Sequence, residues 1–403
     1  MATLIYPHLF CFSYHRKTQK NPEVDPSWQT WQDQHQNVQK VAKSNYGRYT
    51  GNDWDAIYEV KDLGDTQGLL LYAAVQEEHH PQPLDVLDPL RQRLEPLQGN
   101  IGQTWLVLTQ WQPDETTTKI EAIAAIFKLW NLNPANPKPQ GQFVGNTLYL
   151  IPLSAGQNLM ICLAENGEMM NAFVDFRYEL QRLFFYEHKI HWSHRQSQAI
   201  KQKLSSENFF PLTEDVIPAS TLNLTKDQAL QKNFAQLRGI LYDNMDKLDH
   251  HTRGIEGLSL QLQTLKTNLK AYNQRLNRIQ TLCQDYPLPS NLTLWSDFAA
   301  NQATFYQEQI QQDIESLSPG LRVREQHIKT LQVIVEAAQG ERDRALENTI
   351  AAAGLGVGVS SAAAGAWAGQ TPRPIHTFGI SLGLGLLSGV VVYAVLHFFR
   401  RNR

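Results

Sequence analysis

IAAAGLGVGVSSAAAGAWAG (residues 350–369) and FGISLGLGLLSGVVVYAVLHFF (residues 378–399) are runs of 20 and 22 residues without an Asp, Glu, Lys or Arg. A helix rises about 1.5 Å per residue, so roughly 20 apolar residues cross the hydrocarbon core of a bilayer, and each run is long enough for one span. The connector, Gln370 to Thr377, contains Pro372 and Pro374 and is short enough only for a tight turn between antiparallel helices. A C-terminal hairpin of two transmembrane helices is the expectation. Arg342 and Arg344 precede the first run and Arg400, Arg401 and Arg403 follow the second, so the excess of positive charge places both chain ends in the cytoplasm.

Small residues recur at four-residue spacing in both runs: Gly354 and Gly358, Gly365 and Gly369, Gly379 and Gly383, Gly385 and Gly389. Such faces let helix backbones approach closely, either within one hairpin or between copies of the chain. Oligomerisation is the expectation carried forward, because the Ala- and Gly-rich first run is only weakly apolar and gains from partners. The remaining polar residues of the runs are serines and His397. None is the intramembrane carboxylate of a proton relay, which argues against a pump.

Upstream of the hairpin, Ile255, Leu258, Leu262, Leu265, Leu269, Tyr272, Leu276 and Ile279 alternate in threes and fours. That seam predicts coiled-coil or antiparallel helix packing, interrupted near Gly254 and Gly257 and ended before Pro287 and Pro289. A second helical stretch starts near Leu294 and is expected to break at Ser318-Pro319-Gly320. The next runs through Glu341-Arg342-Asp343-Arg344 toward Ile350 with no proline between. A continuous stalk of this kind serves equally as a rigid spacer or as a transmitter of a cytosolic change.

The first part of the chain alternates short apolar runs flanked by Gly, Asn and Asp with one amphipathic helix. Strands are expected at Leu4 to Tyr14, Ala56 to Val60, Leu69 to Gln76, Trp105 to Gln110, Phe143 to Pro152 and Asn158 to Ala164. Glu115 to Trp130 is expected to pack Ile120, Ile123, Phe127 and Trp130 on the sheet, and a long aromatic-bearing helix follows from Phe173 to Lys203. The expected organisation is an α+β (or α/β) cytosolic domain over 1–170, a long-helix, coiled-coil region over 171–347 and the hairpin over 348–403.

Chemistry-bearing motifs are sparse. His188, His191 and His194 fall at i, i+3 and i+6 beside Glu187, and two imidazoles one turn apart can share a metal, so His188 and His191 are the candidate metal ligands. Glu77-Glu78-His79-His80 and His250-His251 read as solvated surface, as do Lys189 and Arg195 near Trp192. No nucleophile-elbow, phosphate-loop, dinucleotide, HExxH or EF-hand pattern occurs, so neither an enzyme nor a cofactor is expected. A net charge of -3 and a pI near 6.5 give no basic field for nucleic acid. Three dispersed cysteines among 403 residues fit a reducing compartment.

The order of parts, an α/β domain, long helices, a stalk and two terminal spans with a small outer loop and a basic end, resembles the CorA-type metal-ion transporters. That family ends its first span with Gly-Met-Asn, where this chain reads Ala368-Gly369-Gln370-Thr371-Pro372, and its outer loop is generally acidic, where the only charge here is Arg373. CorA-like proteins without the motif also resemble accessory membrane effectors of bacterial defence systems. Three functions follow in order of support. They are a membrane-anchored oligomer with a cytosolic sensing or partner-binding domain, a CorA-like channel or transporter of altered selectivity, and a metal-dependent enzyme using His188 and His191.

Overall fold

The computed structural model describes residues 3–17, 39–40, 46–50, 54–76, 80–94, 99–112, 118–132, 140–154, 156–206 and 227–367, with the backbone alone for 227–234 and 341–367. Ten strands form one mixed sheet: β1 (Thr3–Arg16), β2 (Gln39–Lys40), β3 (Tyr46–Thr50), β4 (Trp54–Asp62), β5 (Thr66–Val75), β6 (Pro81–Pro83), β7 (Gly102–Gln112), β8 (Gly141–Phe143), β9 (Asn146–Ser154) and β10 (Gln157–Ala164). Their order is β2-β3-β4-β5-β1-β7-β10-β9-β8, with β6 pairing the start of β1. All neighbours are antiparallel except β7 and β10. The expected strands are present, and the domain is α+β.

The central strand β1 is buried on both faces, which explains its unbroken apolar run. Pro7 cannot donate to the ladder, and the register with β7 shifts between Ile5 and His8, where Tyr6 takes a left-handed φ of 47°. Phe10, Phe12, Leu106, Leu108, Met160 and Cys162 point to one face of the sheet, and Leu9, Cys11, Val107, Ile161 and Leu163 to the other. Two cores result.

The second face is covered by α1 (Leu87–Leu94) through Leu87, Leu90 and Leu94, and by α2 (Lys119–Leu129) through Ile123, Ile126 and Phe127. Thr118 caps α2 in a reciprocal box with Glu121. Ile120 lies on the opposite side of this helix and is 50% exposed, so the face expected to pack is turned to include Ala122 and Ile126 instead.

The first face carries α3 (Gly167–Asp175), α4 (Arg177–Ser206) and the later part of α5 (Asp227–Cys283). The expected seam is buried at Leu258, Leu262, Leu265, Tyr272, Leu276 and Ile279. The expected interruption at Gly254 and Gly257 is absent, because α5 is continuous there. A β-carbon at Gly254 would lie 2.6 Å from Leu204 Cδ2 and one at Gly257 3.2 Å from Ile200 Cδ1, so these glycines let α4 and α5 approach closely.

After the proline turn come α6 (Thr293–Asp297), a six-residue π turn (Phe298–Ala303) and α7 (Thr304–Trp367). The break expected at Ser318-Pro319-Gly320 is also absent, since Pro319 sits inside α7. An interior proline removes one helix hydrogen bond. The helix nonetheless continues, with buried Ile310 and Asp313 before the proline and buried Ile328 and Leu331 after it.

The chain divides into two compact units, Met1–Phe209 with Arg253–Ser318, and Phe210–Thr252 with Pro319–Arg403. The boundary expected at residue 170 thus falls inside the first unit, between β10 and α4. In the second unit Leu237, His251 and Arg324 are buried, and Tyr242, Met245, Val323 and Val333 are exposed. Among the described residues no helix is long and apolar enough to cross a membrane. The second run, 378–399, lies outside the described residues, and α7 carries the backbone of the first as far as Trp367.

Candidate functional site in the sheet unit

A cleft of about 400 Å³ opens in the first unit, where the β9–β10 edge, α4, α6 and the π turn meet. Its position follows from a hairpin. β8 and β9 are joined by Val144 (φ 43°) and Gly145 (φ 81°), both left-handed. A β-branched residue is rare in that region and needs support from its surroundings. Here Val144 N–H donates to Ser290 Oγ at 2.9 Å and Gly145 N–H to Pro289 O at 2.8 Å. Asn146 Nδ2 donates to the Phe143, Val144 and Met169 carbonyls. Asn291 N–H donates to Gln142 O at 2.6 Å, which fixes the start of α6 against the hairpin. Phe143 then meets Trp295 edge to face at 5.2 Å.

Glu187 and His191, one turn apart on α4, line the cleft together with Asn158 of β10. Glu187 is 5% exposed and accepts from Asn158 Nδ2 at 3.2 Å. Burial pushes its carboxyl up to about 7, and the Asn158 bond offsets this only in part. Burial, with smaller effects of Arg195 and His194, pushes His191 down to about 4, so its ring is neutral near neutral pH. Trp295, Asp297, Phe298 and Gln302 complete the far wall, and Leu150 and Pro152 the rim. The Trp295 indole N–H is buried without a hydrogen-bond partner.

The two histidines singled out by spacing face different neighbours. His188 turns to the sheet, its Nε2 2.7 Å from Thr104 Oγ1 and its ring above Gly102. Its Nδ1 has no partner, and burial, with His191 and Arg195 adding, pushes it down to about 3. His191 turns to Phe298 and Tyr306, at 5.2 and 5.6 Å between ring centroids, and His194 stacks on Tyr306 at 3.8 Å. Among the described residues no group of three or more His, Cys, Asp or Glu side chains is placed to hold a metal ion.

Other expectations shift as well. Lys189, read as solvated, is buried and pairs with Asp65 Oδ2 at 2.6 Å, while Arg195 donates to Ile101 O at 2.8 Å. These cations tie α4 to the sheet. His251 is 1% exposed rather than solvated, His80 is exposed, and Glu77 to His79 lie outside the described residues. Gly354, Gly358 and Gly365 fall in the part of α7 described by its backbone alone, and Gly369, Gly379, Gly383, Gly385 and Gly389 lie outside the described residues. The chain matches no protein-family model and no curated protein.

Proposed function

We propose that this chain is a membrane-anchored, oligomeric sensor: the sheet unit faces the cytoplasm and binds a ligand in the cleft, and the C-terminal apolar runs form a two-span hairpin. The observation that carries this reading is α7, which begins directly after the cleft-lining π turn and runs unbroken to Trp367, through most of the first apolar run. A single helix joining a ligand-sized cleft to a membrane-spanning length is the economical arrangement for coupling the two. Glu187 at about 7 has the acidity of a general acid–base and favours chemistry. Binding is preferred over chemistry because the described residues lining the cleft combine Glu187 and Asp297 with the Trp295 and Phe298 rings and include no Ser, Cys, Lys or Tyr.

The test is the native mass of the full-length protein in mild detergent, set beside a fragment ending at Glu347. Full-length protein is expected in the membrane fraction after alkaline wash and as an oligomer after extraction, with the fragment smaller in order and free of membrane. Full-length protein that washes off, or that is monomeric in detergent, removes the reading. A closed ring that depends on the hairpin moves it toward the channel that the CorA-like layout implies.

A further inference from the structure

From the lining of the cleft we infer that its ligand is a small organic ammonium compound, held by the carboxylates of Glu187 and Asp297 with its carbon body against Trp295, Phe298 and Leu150. Among the described residues that line the cleft the charges are of one sign: Glu187 and Asp297 are acidic, and none of the described lining residues is Lys or Arg. An anion would meet two carboxylates and no cation, so phosphates and carboxylic acids are disfavoured. Beside the polar residues of the lining, Leu150, Pro152 and Leu294 with the Trp295 and Phe298 rings form an apolar side that a bare hydrated ion would leave uncovered. An ammonium group attached to a compact apolar body satisfies both features, because aromatic faces attract a cation and aliphatic walls cover its carbons. A volume of about 400 Å³ lies at the small end of ligand cavities.

The protonation of Glu187 strengthens the argument. Beside burial, the group acting on it is Asn158 from β10, while the Glu187 charge in turn raises the Tyr14 hydroxyl of β1 and the Tyr272 hydroxyl of α5, and His191 and Asp297 line the same cleft. None of these named groups is a cation that would neutralise a buried carboxylate. With the cleft empty, burial keeps the carboxyl protonated up to about 7. A bound ammonium supplies the missing charge and releases that proton, so affinity rises with pH up to about 7 and is flat above.

The inference deepens the sensing role proposed above. Its readout is binding rather than oligomer mass, so either can fail alone. The test is ligand-observed NMR on full-length protein in a nonionic detergent with a metal chelator, using butylammonium and benzylammonium against the alcohols and carboxylates of the same skeletons. Both amines are expected to bind at least about tenfold tighter than the alcohols, with no binding of the carboxylates. Glu187→Gln is expected to weaken amine binding at least about tenfold and abolish its pH dependence. Phe298→Leu, which keeps an apolar side chain and removes the ring face, is expected to weaken it several-fold. Equal binding of amine and alcohol, no binding of either amine, or a Glu187→Gln protein that folds and binds like the parent would overturn the proposal.

Discussion

Lowering the pH from 6.5 toward 4 is expected to unfold the sheet unit in a transition that takes up a net of about two protons, three gained by histidines and one lost by Glu187. The protons go to His8, His188 and His191, which burial holds down to about 3, about 3 and about 4. A histidine whose folded value lies below its unfolded value of about 6.5 stabilises the fold fully above pH 6.5. That contribution is lost as pH falls toward the folded value. At about 1.4 kcal/mol per pH unit, His8 and His188 each account for about 5 kcal/mol and His191 for about 3. These losses together match the whole stability of a typical domain, so unfolding is expected near pH 4 to 5 with a net slope of about 3 kcal/mol per pH unit, because Glu187 gives up a proton as the three histidines take theirs.

Glu187 acts with the opposite sign. Its folded value, raised to about 7, gives stability that is full below about 4.5 and lost as pH rises through 7, about 3 kcal/mol in all. That loss falls in the same range in which the histidines act, so chemical denaturation followed by near-UV circular dichroism across pH 4 to 9 should show an acid limb and a plateau above about 7. Glu187→Gln should steepen the acid limb by about one proton, and His188→Gln should cut its slope by about half. An acid slope near one proton would mean that the burial of these rings is not what limits stability.

Gly102→Ala is expected to destabilise the sheet unit by about 3 kcal/mol, far more than an ordinary glycine-to-alanine change in a strand. Its new methyl would lie 2.3 Å from His188 Nδ1 and 2.7 Å from His188 Cβ. Rotating the ring cannot relieve the second contact, because the β-carbon moves only with α4. Shifting α4 would strain the Thr104 bond to Nε2 and the Lys189 pair with Asp65. Overpacking of this kind costs about 1 to 3 kcal/mol before any buried hydrogen bond is lost. Gly167→Ala is the control, since no atom lies within 4 Å of its would-be β-carbon. Urea midpoints that fall alike in both variants would show that backbone entropy, not His188, sets the effect.

Much of the sheet was legible because its strands are apolar on both faces and bounded by turn residues, β1 above all. Strand β3, YGRYT, next to the edge strand β2, carries no such run and went unread, as did α1, whose eight residues hold three buried leucines. Glycine at 254 and proline at 319 are breakers by local propensity, yet the helices pass through both. At Gly254 what decides is Leu204, fifty residues away in sequence. The cleft was legible only in part. Glu187, His188 and His191 stood out by spacing, but spacing cannot say which way each ring turns. The opposing wall of Trp295, Phe298 and Gln302 comes from over a hundred residues downstream, on α6 and a π turn that no local pattern announces.

That π turn has a mechanical meaning of its own. Its wider loop holds one residue more than the ladder of an α-helix needs, and the Thr304 hydroxyl reaches back five residues to the Ala299 carbonyl, at 3.1 Å. Tightening it into α-helix would advance the phase of the residues that follow, as far as Ser318, by about 100° and their height by about 1.5 Å. Phe298 and Gln302, which touch the cleft, belong to the turn that would tighten. The part of the helix inside the sheet unit is therefore geared to its own first turn like a vernier, one notch at the cleft setting the angular position of a shaft that reaches Ser318.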